Sequence, residues 1–203
     1  RRSERAPPSP PARPRATPRR VPPTDPLLAS ALEQARLIRE RALSAEELTR
    51  LYLDRIARHN ATLQAFVEII GRRALAGARR KDAAVMRGDA RELPPFHGVP
   101  LGIKDLNLAR GTFTRFGSRA FKYFWTPFDD KTTAQLRRGG FLVLGKLATS
   151  EIGAMPVTEP EIHGPTRNPW DQGHSAGGSS GGAAAEVVEL VSALGGSVGT
   201  PDV

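Results

Sequence analysis

Two short apolar runs restrict this chain more than anything else in it. Val99-Pro100-Leu101-Gly102-Ile103 and Phe141-Leu142-Val143-Leu144-Gly145 are too short for buried helices, and glycine or charge bounds each of them. Both read as strands, the first inside the run His97 to Asp105. The segments around them carry helix signals. Thr24-Asp25-Pro26 places a polar cap before proline, where the missing N–H costs nothing, and predicts a helix to about Ala42. Ser44-Ala45-Glu46-Glu47 is a capping box, with Leu48, Leu51, Tyr52 and Ile56 on one helical face behind it. Gln64 to Ile70 is a short β-rich run, and a basic, alanine-rich helix is expected from about Arg72 to Met86. Asp129-Asp130 caps a further helix, stopped by Gly139-Gly140. Helices alternating with strands point to an α/β sheet.

The chain has 203 residues and no cysteine, so it can bury a core without disulfides, and thiolate nucleophiles and cysteine-based metal sites are excluded. No apolar run approaches the roughly 18 residues that span a bilayer, and no secretory apolar stretch opens the sequence. The expected compartment is the cytoplasm. A net charge of +9 suggests nucleic acid until it is located: residues 1–20 hold seven arginines and one glutamate, so +6 lies there and +3 elsewhere. That segment is proline-rich and nearly free of large apolar groups. Residues 1–25 are therefore expected to form a disordered basic tail, able to bind nucleic acid nonspecifically, ahead of a domain over 26–203. The chain opens on arginine rather than methionine, and its native start is expected elsewhere.

Residues 173–182, GHSAGGSSGG, offer two serine chemistries. Gly173-His174-Ser175-Ala176-Gly177 fits the nucleophile elbow, which stands on a strand-to-helix turn and is followed in sequence by its acid and histidine. Upstream lies TRNPWDQ, a poor strand. The four histidines, His59, His97, His163 and His174, all precede Ser175. The elbow lacks its base. The other chemistry needs Lys104, because desolvation favours the neutral amine, which can take a proton from a serine hydroxyl. The plain alternative is a lysine at a strand end, neutralised by Asp105 or reaching water. The Gly177–Gly182 run also suits a phosphate-cradling loop, but it lacks the lysine that a Walker loop places after its last glycine.

GVPLGIKD at 98–105, GPTRNPWD at 164–171 and GGSSGG at 177–182 together resemble the amidase signature family of serine amidohydrolases. The resemblance extends over about residues 27–190: SAEELTRLYLDRI is similar to the family's opening helix, and DDKTTAQLRRGGFLVLGK to its helix-strand unit, with Glu151 at its short turn. It implies a mixed-sheet α/β core covered by helices, of which this chain holds the N-terminal part. It also implies a Ser-cisSer-Lys triad, with Lys104 as base, Ser179 as relay serine behind a cis peptide, and Ser180 as a structural neighbour whose hydroxyl satisfies the loop. A small-molecule amide is the implied substrate, and no metal or organic cofactor is implied.

The family's acylated serine falls about two dozen residues after the relay serine, a spacing that here reaches Val203. The chain instead ends ALGGSVGTPDV, and Gly195-Gly196-Ser197-Val198 offers a shifted element with Ser197 as nucleophile. The aspartate block that should precede it is absent, and Gly199 stands where arginine should follow. The alternative is that residues after Leu190 form an unrelated or frame-shifted tail, leaving an incomplete, inactive fragment. Two other functions fit: the amidase subunit of a glutamyl-tRNA(Gln) amidotransferase, and a noncatalytic scaffold with a basic binding tail.

Overall fold

The computed structural model describes residues 25–88 and 92–192. The proposed tail, apart from its last residue, and Ser197 lie outside the described residues. The helix expected from Pro26 to Ala42 is divided. Asp25 caps a 3-10 turn at Pro26–Leu28, its carboxylate accepting the Leu27 N–H at 2.9 Å, and α1 (Ala31–Arg39) then starts afresh. The second start has its own cap, the Ser30 hydroxyl, which accepts the Glu33 N–H at 3.2 Å. Breaking the chain at Ala29 lets both Leu27 and Ile38 enter one core cluster. The capping box of Ser44 and Glu47 opens α2 (Ala45–Leu63). Asp82 adds to it from the next helix, its carboxylate accepting the Ala45 and Glu46 N–H groups at 2.7 and 3.0 Å. Leu48 and Ile56 are buried as the spacing predicts, while Leu51 turns outward.

β1 (Phe66–Ile69) leads directly into α3 (Gly71–Arg87), and β2 (Pro100–Lys104) follows it. α4 (Lys131–Arg138), capped by Asp130, precedes β5 (Leu142–Leu147). The three strands form one sheet in the order β1-β5-β2, with β5 antiparallel to β1 and parallel to β2. This is the mixed α/β sheet that the resemblance implies. Every residue of β5 is buried, as its central place requires. Gly145 lies beside the register slip in the pairing with β2, and a Cβ there would stand 2.0 Å from the Glu68 carbonyl oxygen. A hairpin not expected from the sequence pairs β3 (Thr112–Phe113) with β4 (Trp125–Thr126), whose strands are two residues each. α5 (Gly181–Ser192) closes the described chain. Among the described residues no helix is long and apolar enough to cross a membrane.

Candidate active site

Lys104 is the last residue of β2, at the strand end that runs alongside Leu147 of β5. Its side chain is half-buried, and Nζ lies 2.7 Å from Ser179 Oγ, across 75 residues of sequence. Ser179 follows a cis peptide bond from Gly178. The segment just after β5 holds the serine loop in place. The Thr149 hydroxyl and the Ser150 N–H both donate to the Ser179 carbonyl, at 2.9 and 3.2 Å, and the Gly182 N–H donates to the Ala148 carbonyl at 3.2 Å. Thr158 accepts the Gly181 N–H at 3.0 Å. Such closeness needs glycine: a Cβ on Gly182 would come within 2.5 Å of Ala148 N and the Ala65 carbonyl oxygen. The glycine run is thus a packed loop and not a linker.

Desolvation at the strand end pushes the Lys104 ammonium below the ordinary lysine range. Asp105 does not neutralise it. Successive strand residues point to opposite faces, and Asp105 turns into the core, where Oδ1 lies 2.9 Å from Nζ of the fully buried Lys146. The Asp105–Lys146 contact is close but poorly angled for a hydrogen bond, so it is chiefly an ion pair. Lys146 Nζ donates to the Asn107 carbonyl at 2.8 Å and the Thr114 hydroxyl at 2.9 Å, and Asp105 Oδ2 accepts the Arg115 N–H at 3.1 Å. Burial drives the Asp105 carboxyl up and the Lys146 ammonium down, each countered by the charge of the other.

The structure brings Lys104 and Ser179 together and keeps Ser175 apart from such a pair. Ser175 forms an isolated bridge with Arg167, and its hydroxyl accepts the Gly177 N–H at 3.3 Å, with no strand-to-helix turn beneath it. Ser180 departs from the expectation that its hydroxyl satisfies the loop. It is exposed, its hydroxyl bonds to no other described residue, and only its carbonyl is used, accepting the Ala184 N–H at the start of α5. Thr149, Ser150 and Thr158 do that work and escaped the sequence reading, since ordinary hydroxyls in a loop carry no signal until their partners are known. Among the described residues no group of three His, Asp or Glu side chains gathers to hold a metal.

The sequence model of the amidase family matches residues 47–200. This chain belongs to the amidase family. A protein of Synechocystis sp. that carries an amidase name is 40% identical over 185 residues, covering 88% of this chain and 37% of its own length. A glutamyl-tRNA(Gln) amidotransferase subunit from Acidothermus cellulolyticus is 39% identical over 171 residues, covering 84% of this chain and 34% of its own length. A bacterial aryl acylamidase of the amidase signature family superimposes with a TM-score of 0.75 at 29% identity, over 79% of this chain and 33% of that structure. The chain thus spans about a third of the length of these relatives.

Proposed function

We propose that this chain carries the base and relay of a serine amidase that hydrolyses a carboxylic amide through an acyl-enzyme, with Ser197 as nucleophile. The contact of 2.7 Å between Lys104 Nζ and Ser179 Oγ supports this reading above all else. As a neutral amine, Lys104 accepts the Ser179 hydroxyl proton while Ser179 Oγ accepts that of the nucleophile. The serine oxygen then bonds to the amide carbon, and the carbonyl π pair moves onto its oxygen. Collapse breaks the C–N bond, and the leaving amine takes its proton back through Ser179 from Lys104. Water splits the ester in the same way, releasing the acid and restoring the serine. The proposed substrate is a small-molecule amide and the proposed compartment the cytoplasm.

The test is fluorophosphonate labelling of the folded 203-residue chain with the modified peptide mapped by mass spectrometry. Label is expected on Ser197 and should be lost in Lys104→Ala. Equal labelling of both proteins would overturn the base; a folded chain that takes no label would overturn Ser197 and make this an incomplete amidase.

The amidotransferase relatives favour a second reading, in which the chain is part of a subunit that releases ammonia from glutamine for a partner subunit. Copurification of a second subunit, or glutaminase activity, distinguishes it.

A further inference from the structure

At the other end of the parallel strand pair from Lys104, a half-open cleft of about 340 Å³ lies between α3, α4 and the start of β5. Leu142 and Val143 form part of its floor, whereas Lys104 is in register with Leu147, so about 16 Å of strand separates the two places. Five cations line the cleft: Arg73, Arg80 and Lys81 from α3, Arg110 from the loop after β2, and Arg137 from α4. Among the described residues no carboxylate lines it. Helical spacing puts Arg73, Gly77, Arg80 and Lys81 on one face, and Gly77 keeps that face open, since even a Cβ there would stand 3.1 Å from a Leu142 methyl.

Two of these cations are held in place. Arg73 Nη1 donates to the Gly111 carbonyl, and Arg137 pairs with Asp129 at 3.1 Å. Arg80, Lys81 and Arg110 have no acidic partner among the described residues. Like charges gathered around one cavity repel, and burial disfavours the Lys81 ammonium further. Asp129, beside Arg137 and the Arg110 N–H, offsets only part of that repulsion.

We infer that this cleft binds an oligophosphate group, a ligand with two or more linked phosphates. Guanidinium forks match phosphate oxygens in pairs, and the convergence of several around one cavity suits an anion with oxygens on more than one centre. The volume is at the small end of ligand pockets, fitting a compact group rather than a polymer. Phe141, the aromatic residue in the lining, already stacks on Phe96 with ring centroids 4.5 Å apart. Recognition therefore rests on phosphate and not on a stacked base.

Calorimetric titration of the whole chain with inorganic pyrophosphate, and separately with ADP, tests the site at fixed ionic strength. Arg80→Ala/Arg110→Ala should bind pyrophosphate about tenfold more weakly or worse. Arg87→Ala/Arg138→Ala, which removes the same charge outside the cleft, should bind as the parent does. Anion held by the arginines of residues 1–20 is common to all three proteins and cancels. Arg80 and Arg110 are exposed, so the fold should survive; should the double variant not fold, Arg110→Ala alone is expected to weaken binding several-fold. Unchanged affinity in the cleft variant, an equal loss in the control variant, or no saturable binding by the parent would each overturn the site. Tighter binding of ADP than of pyrophosphate through the same residues identifies the diphosphate arm of an organic molecule as the ligand, and the reverse order identifies free pyrophosphate.

Discussion

Lys104 and Lys146 occupy neighbouring strands one register step apart, and their surroundings differ in kind. Lys146 is fully buried among the Asp105 carboxylate, the Asn107 carbonyl and the Thr114 hydroxyl. Lys104 is half-buried and, among the described residues, hydrogen-bonds to a single oxygen, that of Ser179. Burial weakens proton binding at both, but Asp105 opposes the effect at Lys146, and among the described residues no such charge opposes it at Lys104. Depth alone does not free an amine to act as a base; a shortage of acceptors and counter-charge does. A lysine ringed by oxygens is part of the scaffold.

The sharpest way to break this contrast is to exchange the consequences. Lys104→Ala should slow fluorophosphonate labelling by about a hundredfold or more while leaving the thermal midpoint close to that of the parent. A variant that unfolds but still labels would reverse the two roles. The next effect is on stability. Asp105→Ala strands a buried ammonium and should cost about 3–5 kcal/mol in urea unfolding, whereas Asp105→Leu/Lys146→Met should recover most of that. If the double variant is no better than the single, the pair is not the unit of stability.

The pH dependence sharpens the same point. Labelling should rise with pH and level off below 10.5, the ordinary lysine value, because Lys104 loses its proton early. Unfolded lysines hold their protons up to that value, so between the lowered folded pKa values and 10.5 the unfolded chain binds more protons and stability rises with pH. A labelling profile that is flat up to pH 10.5 would remove Lys104 as the titrating base. The smallest effects belong to the serines outside the pair. Ser175→Ala and Ser180→Ala should each change stability by no more than about 0.5 kcal/mol and leave labelling intact. Loss of label in Ser175→Ala would revive the nucleophile elbow.

Local signals were legible and distant pairings were not. The capping box at Ser44 and Glu47 and the Asp130 cap depend on residues three apart, so the sequence carries them whole. Lys104 stood out because a charge on an apolar strand needs a reason. The break at Ala29 was hidden because Asp25 and Ser30 are both good caps, and only the burial of Leu27 and Ile38 in one cluster selects two starts over one. Asp105 looked like a counter-ion for its neighbour, and strand alternation sent it to Lys146 instead. The hairpin of β3 and β4 has too few residues to show a period, its closure resting on pairs such as the buried Thr114 and Thr126 hydroxyls at 2.9 Å.

The attachment of both halves of the Lys104–Ser179 pair to β5 has a mechanical result. Lys104 is registered on that strand through β2, and Ser179 hangs by its carbonyl from Thr149 and Ser150, just beyond the strand's end. A tilt or slide of β5 is therefore common to Lys104 and Ser179, and it drops out of the distance between them as a shared signal drops out of a differential measurement. Only shear between β2 and β5, or peeling of the glycine loop, alters the gap. The proposed proton path is buffered against the motions of the sheet on which it is built.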